Sequence, residues 1–233
     1  VKFYLFTSDF DFIRTLEESK LDGVLYTYNA YQGNPFIGIA KHVKDTTKLK
    51  HMVAIRPYTI SPQYLCTITD SLDDLIGSNQ IQINFISGWI KENELNAGGF
   101  VGEINDRSNN IDRGNYLIEY IDVLEKLDRK IPDYYLSVTN NFIFELAKKH
   151  NSKIIIDYSH FKPLRYDIKN MNVMLSTGNL LHENPYLTHQ EFFEFVEEAK
   201  CANIQEIIFP NHNERMAHHV VDLVNTYKES EIK

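Results

Sequence analysis

The chain has 233 residues, 43% hydrophobic and 24% charged, the proportions of an ordinary globular protein. Its formal net charge of −8, with no basic run longer than two residues, argues against a nucleic-acid surface. The two cysteines, Cys66 and Cys201, are too few and too far apart to build a disulfide or metal framework.

The opening run Val1–Phe6 is too short for a signal-peptide core and meets Asp9 at once, so a cytoplasmic protein is expected. No apolar run approaches the ~18 residues of a membrane span. Eight short apolar runs then recur from end to end: Phe3–Phe6, Gly23–Thr27, Met52–Arg56, Ile81–Ile86, Tyr134–Ser137, Lys153–Asp157, Asn172–Leu175 and Glu206–Phe209. Most are apolar at nearly every position. Strands covered on both faces of a parallel sheet read that way, whereas half-exposed strands alternate.

Between the runs lie segments with a helical period. Phe10–Lys20 is led by Ser8-Asp9, a pair suited to an N-cap. Pro35–Lys44, Pro62–Ile76, Arg113–Leu127, Asn141–His150, Thr188–Ala202 and Asn213–Lys228 follow. Thr188 and Glu191 have the spacing of a capping box. Strand then helix, eight times at about 29 residues per unit, predicts an α/β fold with a single compact (β/α)8 TIM barrel over residues 1–233. An open doubly wound sheet fits the same rhythm, because periodicity does not report closure. Two connections break the pattern: 87–110 is long and polar, and 160–170 has room for little more than a short helix.

In a barrel, ligands bind at the C-terminal ends of the strands. The candidates there are Thr7 and Ser8; Tyr26, Thr27 and Tyr28; Arg56; Asn84 and Ser87; Ser137 and Thr139; Asp157, Tyr158 and His160; Ser176 and Thr177; Asn211 and His212. This collar is rich in hydroxyls and aromatics and poor in charge. It suits a planar heteroaromatic ring with hydrogen-bonding edges better than a divalent metal. Asn84 offers donor and acceptor together, matching a pyrimidinedione edge, or it ties off strand-end backbone groups. Thr139 stands ahead of a helix, where it could face a phosphate or serve as a plain N-cap. Asp157, His160 and His212 are acid–base candidates near neutral pH; for each His a surface role is the alternative. Thr7, Tyr26, Tyr28, Arg56 and Tyr158 are candidate substrate contacts. His218-His219 is expected on the outside of the last helix.

Val53-Ala54-Ile55-Arg56-Pro57, Asn84-Phe85-Ile86-Ser87-Gly88, Asp112-Arg113-Gly114 with Glu119-Tyr120, and Pro132 to Thr139 together resemble, in order and spacing, the luciferase-like flavin-dependent monooxygenases, with the alkanesulfonate monooxygenase branch nearest. That resemblance implies reduced FMN (FMNH2) at the barrel mouth, delivered by a separate flavin reductase, with O2 and a small organic molecule as co-substrates. It implies cofactor contacts from Ala54, Asn84, Ser87, Arg113 and Thr139, and a homodimer through the helices after strands 2 and 3. The sequence departs from the family at several points. Gly114 replaces the Tyr after Asp-Arg, Leu136 and Ser137 replace glycines, Gln32 stands for a Cys, and Met174-Leu175-Ser176 stands for Arg-x-His. The insertion after strand 7 is reduced to Gly178–Tyr186. Two alternatives stay open: a deazaflavin (F420)-dependent oxidoreductase on the same barrel, or a non-catalytic flavin-binding relative, which the reduced insertion and the absent Cys and Arg-x-His suggest.

Overall fold

The computed structural model describes residues 1–7, 12–27, 34–42, 46–77, 80–87, 110–158, 168, 170–178, 184, 186–210 and 213–232. Eight parallel strands close into a barrel in chain order. They are β1 (Lys2–Phe6), β2 (Gly23–Thr27), β3 (Lys50–Ile55), β4 (Ile81–Phe85), β5 (Asp133–Val138), β6 (Lys153–Asp157), β7 (Val173–Ser176) and β8 (Glu206–Phe209). Closure settles the choice between barrel and open sheet, since β1 pairs with both β2 and β8.

Around the barrel run α1 (Ile13–Glu18), α2 (Pro35–Lys41), α3 (Pro62–Ile76), α4 (Asn110–Lys126), α5 (Asn141–Lys149), α6 (His189–Cys201) and α7 (Glu214–Ser230). Several caps follow from local chemistry. Ser61 accepts from Tyr64 N with Pro62 at the first helical position. Thr188 and Glu191 form the expected capping box on α6. Before α5 the cap is Asn140, one residue beyond Thr139, accepting from Ile143 N at 3.0 Å. The expected Ser8-Asp9 cap lies outside the described residues, as does most of 160–170. Among the described residues no helix is long and apolar enough to cross a membrane.

Alternation along each strand divides the apolar residues into two cores. Outward residues such as Phe3, Val53, Phe85, Ile156 and Phe209 pack beneath the helices. There Phe3, Phe192, Phe209 and Tyr227 form an aromatic cluster, with Phe3–Phe192 centroids 5.9 Å apart and Phe192–Tyr227 at 6.0 Å. Inward residues fill the barrel in levels drawn from alternate strands. Tyr4, Met52, Tyr135 and Met174 from the odd strands make one level, with Leu25, Ile155 and Ile208 from the even strands above it. Gly23 is required by this packing, because a Cβ there would meet the Tyr4 ring at 2.5 Å and the Lys50 carbonyl at 2.8 Å.

Candidate functional site

Above the apolar plug, at the C-terminal ends of the strands, a cavity of about 210 Å³ opens. Its floor is Leu25, Asn84, Ile155 and Ile208; its wall is Phe6, Ala54, Ser137 and Ser176; its rim includes Thr27, Ile86 and Pro210. These are the inward positions at three successive levels, so strand alternation alone brings them together. Among the described residues, every lining side chain is uncharged. Asn84 is buried, and its Oδ1 accepts a hydrogen bond from Ser137 Oγ at 2.9 Å across the β4–β5 seam. Fixing the amide oxygen in this way leaves the Asn84 amide nitrogen as the donor at the cavity floor.

Of the expected cofactor contacts, Ala54 and Asn84 line this cavity. Ser87 follows β4 with the opposite parity; it is buried, and its carbonyl accepts from Arg113 Nε at 2.9 Å. Arg113 is only 2% exposed, so it clamps the start of α4 to the end of β4 from beneath the surface. Thr139 is exposed at the end of β5 beside the α5 N-terminus. Gly114, where the resemblance expects Tyr, lies under Phe142, whose ring would stand 2.6 Å from any Cβ there. The Phe142 ring therefore occupies the space beside Gly114 that a side chain would need.

The expected substrate contacts divide by the same parity. Arg56 continues the inward series of β3 at the rim, half-buried, while its carbonyl accepts from Thr59. Tyr26 points the other way. It is buried against His51, ring centroids 6.1 Å apart, with its hydroxyl 3.4 Å from His51 Nδ1. Tyr158 also faces the helix layer, edge-on to Phe195 at 5.4 Å. Thr7 is fully buried and its N–H donates to the Leu25 carbonyl at 2.9 Å. Asp157 ends β6 opposite Ser176 in the register, and its Oδ2 lies 3.5 Å from where a Gly178 Cβ would stand. Tyr28, His160 and His212 lie outside the described residues.

Thr27, Ser137 and Ser176 belong to the cavity as firmly as Asn84 does. The collar contained them, yet chemistry alone gave no reason to set them above Tyr26 or Ser87. The missing signal was strand parity, hidden because strands such as Ile81–Phe85 are buried along their whole length.

No protein-family model matches the sequence, and no curated protein matches it. Solved structures do. An F420-dependent tetrahydromethanopterin reductase from Methanopyrus kandleri aligns with a TM-score of 0.71 at 10% identity, over 100% of this chain and 99% of its own. A riboflavin lyase, solved with modified FMN and riboflavin, aligns at 0.68 and 9% identity, over 99% of this chain and 92% of its own. The monooxygenase RslO1 from Streptomyces bottropensis aligns at 0.58 and 12% identity, over 99% and 82%. At these identities the likeness establishes a shared fold: this chain is a (β/α)8 barrel built like theirs, with its mouth at the C-terminal ends of the strands.

Proposed function

We propose that this chain is a luciferase-like flavin enzyme, an FMN-dependent monooxygenase that takes FMNH2 from a separate reductase and acts with O2 on a small organic substrate. The observation that carries the reading is the uncharged cavity at the barrel mouth, with the Asn84 amide held in place by Ser137. An amide donor beside hydroxyl groups complements the carbonyl and N–H edge of a flavin ring. The cavity is smaller than the ~300–1,000 Å³ of sites that enclose a ligand, so it receives a ring edge while the rest lies across the mouth.

Residues at the rim would hold the remainder. Thr139 and the N–H groups opening α5 would meet the phosphate, as helix N-termini do for anions. Arg113 supports this indirectly by holding the end of β4 in register. Reduced FMN, when bound, supplies the electrons for oxygen activation, and the protein supplies position and exclusion of water. Asp157, with His160 and His212, would manage protons at the mouth. Because the described lining residues carry no charge, the cavity itself suits a neutral substrate better than an anionic sulfonate. Ile37 on α2 and Tyr64 on α3, 54% and 56% exposed on neighbouring helices, support a homodimer through that face.

The full-length match to an F420-dependent reductase favours one second reading: hydride transfer with F420 and no use of oxygen. Stopped-flow mixing with FMNH2 and air separates the two. The proposal expects the protein to slow flavin reoxidation and substrates to change its course. Unchanged FMNH2 reoxidation, with reduced F420 instead passing its hydride anaerobically to an added oxidised acceptor substrate, would establish the second reading.

A further inference from the structure

The last inward residues of β6 and β7 meet beside a glycine. Inward positions run Lys153, Ile155, Asp157 on β6 and Met174, Ser176 on β7, so alternation turns Asp157 and Ser176 toward the mouth. The register sets them side by side, with Asp157 opposite Ser176 and Ser176 in turn opposite Ile208 on β8. Ser176 lines the cavity, and no hydrogen bond ties its hydroxyl to another described residue. Gly178, just past the end of β7, adds no side chain to this corner. A Cβ built there would lie 3.5 Å from Asp157 Oδ2 and 3.7 Å from Ser176 Oγ. Apart from its chain neighbours, it would meet no other described atom within 4 Å. The bare glycine thus leaves a gap bounded by two oxygens, each close to hydrogen-bonding distance.

The two oxygens differ in what they ask of a ligand. The serine hydroxyl both donates and accepts, whereas a carboxylate accepts. Asp157 has an interaction of its own, yet a carboxylate has about four lone-pair sites over its two oxygens, so it takes a further donor without giving up the first. A ligand hydroxyl satisfies both partners at once, donating to Asp157 Oδ2 and accepting from Ser176 Oγ. It does so without bringing a charge into the cavity. Next to the gap, Ile155, Ile208, Phe6 and Pro210 supply an apolar wall for the body of the same molecule. Asn84 and Ser137 belong to β4 and β5, so a ring edge there and a hydroxyl here use different polar groups.

We infer that the substrate is a small alcohol, its hydroxyl seated beside Gly178 between Ser176 and Asp157 and its apolar body against Ile155, Ile208 and Phe6. Ser176 and Gly178 are then specificity-determining, one by its hydroxyl and the other by the space it leaves. The inference rests on the flavin reading for calling this ligand a substrate, but the recognition belongs to the corner itself.

The test is a ligand-observed NMR titration of the whole, flavin-free protein with benzyl alcohol and with benzyl methyl ether, which accepts a hydrogen bond but donates none. The parent is expected to prefer the alcohol by about fivefold or more. Ser176→Ala and Gly178→Ala should each bring that ratio near one. The alanine methyl at 178 stands at ordinary contact distance, so this variant should melt with the parent. A ratio is read within one protein, so a small loss of stability does not mimic the effect. No saturable binding of benzyl alcohol, no preference in the parent, or a preference undiminished in both variants would overturn the inference. A second arm titrates FMN and lumiflavin, which lacks the ribityl hydroxyls, into Gly178→Ala. Both flavins should keep the parent's affinity; weaker FMN with unchanged lumiflavin would give the gap to the ribityl chain and overturn the substrate assignment. Failure of the parent to bind FMN at all would instead sink the flavin reading, with the alcohol-to-ether ratio still readable.

Discussion

Ser137 Oγ donates to Asn84 Oδ1 at 2.9 Å, and this one contact orients the one amide among the described residues that line the barrel mouth. Removing the hydroxyl leaves the amide able to turn over, so a donor and an acceptor exchange places at the floor. Ser137→Ala is therefore expected to weaken flavin binding several-fold while changing stability by about 1 kcal/mol or less. Fluorescence titration with FMN and urea denaturation of the same variant check the two halves.

His51 gives the fold an acid limit. It is fully buried beside Tyr26, and desolvation, only partly opposed by the charge of Glu17, lowers its pKa to about 4. An unfolded His titrates near 6.5, so between roughly pH 6.5 and pH 4 the unfolded chain binds a proton that the folded chain refuses. Stability from this group is complete above that window and falls as pH drops through it, by roughly 3 kcal/mol in all. Urea midpoints at pH 7.5 and 4.5 should converge in His51→Gln relative to the parent; an identical pH dependence in both proteins contradicts the assignment.

Gly23 and Gly114 look alike in the sequence and should respond differently. A Cβ at Gly23 meets the buried Tyr4 ring and the Lys50 carbonyl, neither of which has room to retreat. Gly23→Ala should cost about 2–3 kcal/mol or more. At Gly114 the obstacle is Phe142, which is 41% exposed and can swing outward. Gly114→Ala should cost less than about 1 kcal/mol, and equal losses in thermal unfolding would refute this contrast.

Tyr135 donates its hydroxyl to Glu206 Oε2 at 2.6 Å within the barrel, beneath the apolar plug. Hydrogen bonds to a charged group contribute about 1.5–3 kcal/mol. Tyr135→Phe should lose that amount in chemical denaturation, with FMN affinity retained because the mouth lies beyond the plug.

The α2–α3 face should decide the oligomeric state. Tyr64→Glu together with Ile37→Glu places two charges where apolar surface now faces outward. Sedimentation velocity is expected to show a dimer for the parent and a monomer for the double variant. A monomeric parent removes the dimer from the account.

The architecture was legible because it is written in local chemistry. Gly23–Thr27, Lys153–Asp157 and Glu206–Phe209 fall where continuous apolar runs put them, and α3 spans the whole of its periodic segment. Thr188 capped α6 as its spacing with Glu191 required. Closure was not legible, since pairing of β1 with β8 joins residues about 200 positions apart that carry no mutual signal. The site was half legible for a related reason. Asn84 and Ala54 turned inward, but Tyr26, Ser87 and Tyr158 turned toward the helices, and a strand buried on both faces carries no alternation to say which way. Gly114 stands where the resemblance expects Tyr, and Phe142 packs into the space beside it.

The central claim is that the Asn84 amide at the barrel mouth reads the edge of a flavin. Equilibrium titration of the parent and Asn84→Leu with FMN, followed by quenching of flavin fluorescence, tests it most directly. Saturable binding by the parent, weakened at least about tenfold in a variant that unfolds at the same temperature, is the expected result. Equal affinity in the two proteins, or no binding of FMN or F420 by the parent, would contradict it.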